Sequence, residues 1–332
     1  MADLKTRYMG LSLDNPLVVA SSGLTGSIEG IQRCSDAGAG AVVLKSMLEE
    51  LIIANSENLD DDLIRSEHPE AYEYIRAQLG MQLGPRPYLK FIEDVKKHVS
   101  LPVIASVNCI SSKWWVSYAN SMESAGADAI ELNISHFPGK SDEMSQDIEK
   151  RYADIVREVT ENLSIPVAVK LGFYFTSLRN VLEEIVNAGA RALVLFNRYY
   201  SVDVDINKNT IIPSMTLSSP QEMLVPLRWA GILSGSLKCD IAVTTGIHDS
   251  KSIIKMIMVG AAVVQLCSTL YKNGPQYLTN LREQINSWLD RKDYASVTDI
   301  RGLAVKNTEK TDILLKRLQY LKALEEASKY EY

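Results

Sequence analysis

Residues 125–135 read Ala-Gly-Ala-Asp-Ala-Ile-Glu-Leu-Asn-Ile-Ser, and this stretch decides the fold class. Gly126 supplies the left-handed turn that closes a helix, and an apolar run follows at once. The same phrase recurs along the chain: Ala37–Ala39 leads into Ala41–Ser46, Ala188–Ala190 into Ala192–Asn197, and the shorter Gly260–Ala261 into Ala262–Thr269. Each occurrence marks one helix-to-strand junction, a weak internal repeat. The runs are mostly continuous apolar rather than alternating, which predicts parallel strands buried on both faces.

Four more junctions extend the pattern in both directions. Leu17–Ser22, Pro102–Asn108, Pro166–Gly172 and Asp240–Gly246 read as strands, and Ala129–Ser135 completes a set of eight. Between them Ile148, Tyr152, Ile155, Val156 and Val159 fall on one helical face, as do Leu178, Val181, Leu182, Ile185 and Val186, and Ile253, Ile254, Ile257 and Met258. Eight βα units in series predict an α/β fold, a closed (β/α)8 (TIM) barrel. The competing open, doubly wound sheet usually carries a glycine-rich turn after its first strand, and Ser21-Ser22-Gly23-Leu24-Thr25-Gly26 matches that turn poorly.

Two strand-to-strand steps are long, Met47–Pro85 and Arg198–Ser219. Both follow strands, so both inserts lie on the C-terminal face, where barrels build their sites, and both are candidate lids. The first predicts a short helix near Tyr72–Leu79, and the second contains a strand-like Thr210–Ile212. The barrel is expected over residues 1–300. A helical tail follows over 301–332, with Ile313, Leu314, Leu318, Leu321 and Leu324 as an apolar stripe that packs on the barrel or on a homodimer mate.

Composition narrows the class. The 332 residues are 46% hydrophobic and 23% charged, which excludes a disordered chain, a fibrous repeat and a disulfide-dense miniprotein. The net charge is -6 with no basic block, so nucleic acid is not an expected partner. Cys34, Cys109, Cys239 and Cys267 are far apart, without metal-ligand spacing, and read as reduced thiols. No His, Asp or Glu cluster predicts a metal site. The N-terminus lacks an apolar signal core, and the apolar stretch Ile253–Cys267 is broken by Lys255 and falls short of a span of ~18 residues. The expectation is a cytoplasmic protein with no membrane contact.

Polar residues crowd the predicted strand ends: Ser21-Ser22, Lys45-Ser46, Asn108, Asn133 with Ser135-His136, Lys170, Asn197, Thr244-Thr245-Gly246 and Ser268-Thr269. Two lysines end apolar strands. A buried cation needs a negative partner, either a carboxylate or charge on a ligand. The loops after the last two strands commonly hold phosphate in barrels, and Gly246-Ile247-His248-Asp249-Ser250 opens a helix there. A small-molecule ligand bearing phosphate is the expectation.

Read in order, these phrases resemble the dihydroorotate dehydrogenase family of FMN-dependent (β/α)8 barrels across nearly the whole chain. They are Asn15-Pro16 with Ala20–Gly23, Val43–Ser46, Ala127–Ser135 with its Glu-Leu-Asn-x-Ser core, Val169–Leu171, Asn197, and Thr245–Asp249 leading to Gly260-Ala261 and Val264-Gln265. The resemblance implies FMN as cofactor and a two-electron oxidation or reduction of a C–C bond beside a carbonyl, with dihydroorotate to orotate in pyrimidine biosynthesis as the family reaction. It implies that Ala20 and Ser21 lie along the flavin, with Ser46 beside them. Lys45 would sit at the flavin N1–C2=O edge, where it stabilises negative charge and acts in catalysis. Asn133 and Lys170 would contact ring and ribityl chain, Asn197 substrate or flavin, and Gly246, Ser268 and Thr269 the phosphate. Lys45, Asn133 and Asn197 would also face substrate.

The chain departs from the family at three places. His136-Phe137-Pro138 stands where dihydroorotate-oxidising members carry a Cys or Ser base followed by Pro-Asn, which makes His136 the candidate base. Leu79–Pro85 lacks the asparagines of the family's substrate loop, and Met215–Ser219 replaces its glycine-rich phosphate turn. No iron–sulfur signature is present, so electrons leave to a soluble acceptor or to a redox partner protein. Two other readings stay open here: a flavin-binding paralogue without catalysis, and a Schiff-base lyase using Lys170 or Lys45.

Overall fold

The computed structural model describes residues 1–48, 85–109, 115–136, 142–198, 201–214 and 216–306. Eight parallel strands form its centre: β1 (Leu17–Val19), β2 (Ala41–Val43), β3 (Val103–Cys109), β4 (Ala129–Ile134), β5 (Val167–Leu171), β6 (Ala192–Leu195), β7 (Asp240–Val243) and β8 (Val263–Leu266). Each pairs with its sequence neighbour, β8 pairs back onto β1, and β2 pairs with β3, so the ring is closed. The register slips by about eight residues per circuit, the shear of a (β/α)8 barrel.

Helices alternate with the strands: α1 (Ile28–Asp36), α2 (Pro85–His98), α3 (Trp115–Ser124), α4 (Ser145–Thr160), α5 (Leu178–Asn187), α6 (Leu224–Leu233) and α7 (Ser250–Met258). After β8 come α8 (Ser268–Asn273), α9 (Tyr277–Arg291) and α10 (Val297–Ile300). The three periodic faces read from sequence are the buried faces of α4, α5 and α7. The Ala-Gly-Ala junctions behave as expected. Gly189 closes α5 at φ 112, and a Cβ there would meet Thr160 Oγ1 at 2.5 Å.

All eight strands are where the sequence puts them; β3, β4 and β5 carry Asn108, Asn133 and Lys170 within the strand, and the other five stop before the polar residues that follow. Ser268 and Thr269 in particular open α8 instead of ending β8. At those five, the polar side chains stand on loops and helix starts above the ring.

The lower end of the ring is closed by an N-terminal hairpin, Thr6–Tyr8 paired with Leu11–Leu13. Its two-residue loop, Met9 and Gly10, has positive φ at both positions, the hairpin geometry that matches strand twist. Tyr8, Met9 and Leu13 enter the barrel and pack against Ala41, Ala129, Ala168, Ala192, Ala242 and Ala262. Small side chains on five strands and just before β8 leave the room that the hairpin fills.

The insert Arg198–Ser219 forms a second hairpin, Ser201–Asp205 paired with Thr210–Ser214, which extends the strand expected at Thr210–Ile212. At the start of the other insert, Met47–Leu48 pairs with the end of β3. The expected helix near Tyr72–Leu79 and the apolar tail stripe at Ile313–Leu324 lie outside the described residues. Among the described residues no helix is long and apolar enough to cross a membrane. Cys34, Cys239 and Cys267 are free thiols.

Candidate active site

The strand register sets the site's layers. Asn108, Asn133 and Lys170 are register partners across β3, β4 and β5, and so share one level at the upper end. Two residues down each strand, Ser106 and Glu131 are partners, with Ala168 beyond. Period-two geometry aims all of these at the same face, the interior.

Glu131 is the polar centre. Its side chain is 1% exposed, and its Oε1 lies 3.4 Å from the Lys170 ammonium. From β8, Gln265 Nε2 donates to Oε2 at 2.5 Å. An apolar strand tolerates this carboxylate because a cation and an amide hold it. Above it, the buried Asn133 Oδ1 receives no hydrogen bond from the described residues.

A chain of hydroxyls lines the ends of β1, β2 and β3. Ser46 N–H donates to Ser21 Oγ at 2.9 Å, the two hydroxyls are 3.0 Å apart, and Ser46 Oγ is 2.7 Å from Ser106 Oγ. Tyr88 from α2 donates to the Ser106 carbonyl and accepts from its N–H. Burial pushes the Tyr88 phenol well above its ordinary range, so it stays a neutral donor. The half-buried Lys45 has no ion-pair partner among the described residues, and its stem lies over Gly26, where a Cβ would meet Lys45 Cδ at 3.1 Å. Ala20 is buried, its N–H bonded to the Leu266 carbonyl, and Asn197 N–H bonds to the Leu171 carbonyl, joining the ends of β5 and β6.

A third group gathers above β7 and β8. Ser218, brought in by the second insert, is its hub. Ser218 N–H donates to Ser268 Oγ at 3.0 Å, and Ser218 Oγ accepts from Gly246 N–H at 3.3 Å and faces His248 Nε2 at 3.3 Å. Lys272 donates to the Ser218 carbonyl, and Thr269 Oγ1 to the His248 carbonyl. Burial, then the Lys272 charge, hold His248 below its ordinary pKa.

His136 stands apart from these groups, just past β4. Its Nε2 is 2.9 Å from Glu143 Oε1, and Arg151 faces its Nδ1 at 3.5 Å. Its backbone N–H donates to Tyr152. The ring is therefore held by an acid on one nitrogen and a guanidinium on the other.

Sequence reading missed four of these partners. Glu131 and Gln265 were visible only as letters in a motif. Their signal was a charge and an amide inside otherwise apolar strands. Ser218 lay in the Met215–Ser219 turn marked as a departure, without any sign of its partners, and Glu143 carried no local signal because it matters through a partner across a loop.

The family model described as Dihydroorotate dehydrogenase matches residues 3–289, most of the chain. The chain belongs to the dihydroorotate dehydrogenase family. Its relatives include the Dihydroorotate dehydrogenase B (NAD(+)), catalytic subunit, of Thermoplasma acidophilum, 29% identical over 92% of this chain and 100% of that protein. Proteins of the same description from Methanocella arvoryzae and Pyrococcus abyssi are 29% and 27% identical over 89% and 91% of this chain, and over 95% and 99% of their own lengths. Identity near this level fixes the barrel and its order, and leaves individual site residues free to differ. As a family member the protein is an oxidoreductase of the dihydroorotate dehydrogenase type, a divergent one.

Proposed function

We propose that the protein binds FMN at the upper end of the barrel and carries out a two-electron oxidation or reduction of a C–C bond next to a carbonyl. One observation carries this reading: the buried, unsatisfied Asn133 Oδ1, level with the Lys170 ammonium. A buried acceptor without a donor costs about 1–3 kcal/mol, and a ligand N–H or hydroxyl removes that cost. FMN offers both an imide N–H and ribityl hydroxyls, so the residues fit it.

Asn133 and Lys170 would hold the ring and ribityl chain, with Ala20, Ser21 and Ser46 along one side and Asn197 towards the substrate. Lys45 and Lys170 would supply positive charge to stabilise an anionic reduced ring. At the phosphate end Ser268 and Lys272 would supply donors beside Gly246, with the Thr269 hydroxyl bracing the His248 carbonyl and Ser218 in place of the family's glycine turn. When bound, FMN supplies the two-electron acceptor. The protein's part is to orient the substrate C–H and to take the proton. His136 is assigned that proton. Glu143 holds its Nε2 side and Arg151 faces its Nδ1, so the ring takes the substrate proton only when Arg151 gives up that nitrogen. The Lys170–Glu131 ion pair argues against Lys170 as a Schiff-base nucleophile, because a paired ammonium has no lone pair for a carbonyl.

The family relatives name dihydroorotate, and a histidine base at position 136 makes it a substrate to test rather than to assume. The test is the anaerobic visible spectrum of FMN-loaded protein before and after dihydroorotate. Bleaching of the flavin band establishes both cofactor and substrate. A flavin band that does not move keeps the cofactor and rejects dihydroorotate. Failure to take up FMN rejects the reading.

A further inference from the structure

Glu131 is a carboxylate buried inside the barrel, below the upper level. Its carboxylate lies one layer below Asn133 and Lys170. It acts there through Lys170, whose ammonium reaches back to it at 3.4 Å. That separation is longer than the ~2.7–2.9 Å of a tight charge-assisted bond. The reason is visible on the other side: Gln265 Nε2 holds Oε2 at 2.5 Å and draws the carboxylate across the barrel towards β8. Glu131 Oε1 accepts no hydrogen bond from the described residues. The two charges therefore form an ion pair without a hydrogen bond, and how far it closes depends on the hold of Gln265 on the other oxygen.

We propose that Glu131, held by Gln265, is a positioning residue that sets the reduction potential of the bound flavin by fixing how much of the Lys170 charge it cancels. This rests on the FMN reading above. Lys170 is 10% exposed on its side chain and Glu131 1%, so water screens the pair little and small movements change the field strongly. The other titratable groups that feel the pair, Tyr8 and Tyr88 near the carboxylate and Cys267 near the ammonium, are held neutral by burial, and Ser106 in the same layer carries no charge. Lys170 is therefore the partner through which Glu131 acts. A free cation at the upper level favours the anionic reduced flavin, and a carboxylate beneath it opposes that.

Two substitutions shift the potential in opposite directions. Glu131→Gln removes the opposing charge and raises it. Gln265→Met removes the anchor, lets the carboxylate close on Lys170, and lowers it. The experiment loads wild type and both variants with FMN. It measures the affinity for oxidised FMN by fluorescence quenching and the midpoint potential by anaerobic titration against a reference dye. For Glu131→Gln the ratio of reduced to oxidised affinity rises at least tenfold, about 30 mV for a two-electron couple. For Gln265→Met it falls. Potentials within twofold of the wild-type ratio on FMN-bound variants overturn the proposal and leave the FMN reading intact. A wild type that takes up no FMN overturns both. If Glu131→Gln does not fold, the sign for Gln265→Met decides, since a rise or no change overturns the proposal. A purely structural Glu131 would move melting temperatures without opposite shifts in potential.

Discussion

His248 shows how one residue's surroundings become a pH dependence. Its ring faces Ser218 Oγ, and burial together with Lys272 disfavours its imidazolium. Its folded pKa lies below the ordinary 6.5. As pH falls through about 6.5, the unfolded chain takes up a proton that the folded protein refuses. The contribution is whole above that pH and is lost as pH falls towards the depressed folded value. The melting temperature is therefore expected to decline more steeply between about pH 7 and pH 5.5 in wild type than in His248→Gln, as followed by thermal unfolding. Equal slopes would show that the ring carries no net linkage. Among the site residues, Lys45, Asn133 and Lys170 were legible because their polarity interrupts or ends apolar runs. Glu143 was not, because only the loop's path brings it to His136.

At the level of elements, the turn from β7 to α7 does most to shape the upper rim. Thr245 and Gly246 both have positive φ, 74 and 76. Asp249 then caps α7 by accepting Ser252 N–H at 2.7 Å. A Cβ on Gly246 would meet Met223 N at 2.2 Å and the Glu222 carbonyl carbon at 2.8 Å, so the segment before α6 closes directly over the glycine. Gly246→Ala combines left-handed strain, about 1–3 kcal/mol, with a backbone collision that cannot relax by rotating a side chain. Urea titration is expected to show a loss at or above the upper end of that range. FMN retention should fall with it, since the Ser218 hub hangs on the same turn. A loss below about 1 kcal/mol would show that the segment before α6 moves freely.

The whole molecule depends on how the ring's lower end is filled. Six alanines face a hairpin whose Tyr8 is fully buried, with a hydroxyl that has no hydrogen-bond partner among the described residues. The ring of Tyr8 packs, and the hydroxyl adds little. Tyr8→Ala should cost about 3–5 kcal/mol by chemical denaturation, the range for emptying an aromatic site. Tyr8→Phe should stay within about 1 kcal/mol of wild type or gain stability, because it removes an unsatisfied buried group. A large loss in Tyr8→Phe would reveal a partner for the hydroxyl, such as an ordered water. The hairpin was missed in the sequence because its strands are three residues long, although the alternation Thr6, Tyr8, Leu11, Leu13 around Met9-Gly10 was there to be read.

The sequence by itself determined the eight strands, their parallel pairing and the closing of the ring. Continuous apolar runs after Ala-Gly-Ala junctions are local signals, and burial on both faces leaves one economical arrangement. It also placed the polar residues at one end, since strand polarity fixes which end that is. Tertiary structure decided which of those residues meet. Ser21, Ser46 and Ser106 form one chain because shear brings the ends of β1 and β2 level with the middle of β3, and Ser218 reaches Gly246 and Ser268 because a distant insert folds over them. The pairing of Glu131 with Lys170 and Gln265 joins three strands across the barrel. Such contacts depend on distances between residues far apart in the chain, and no local pattern encodes them.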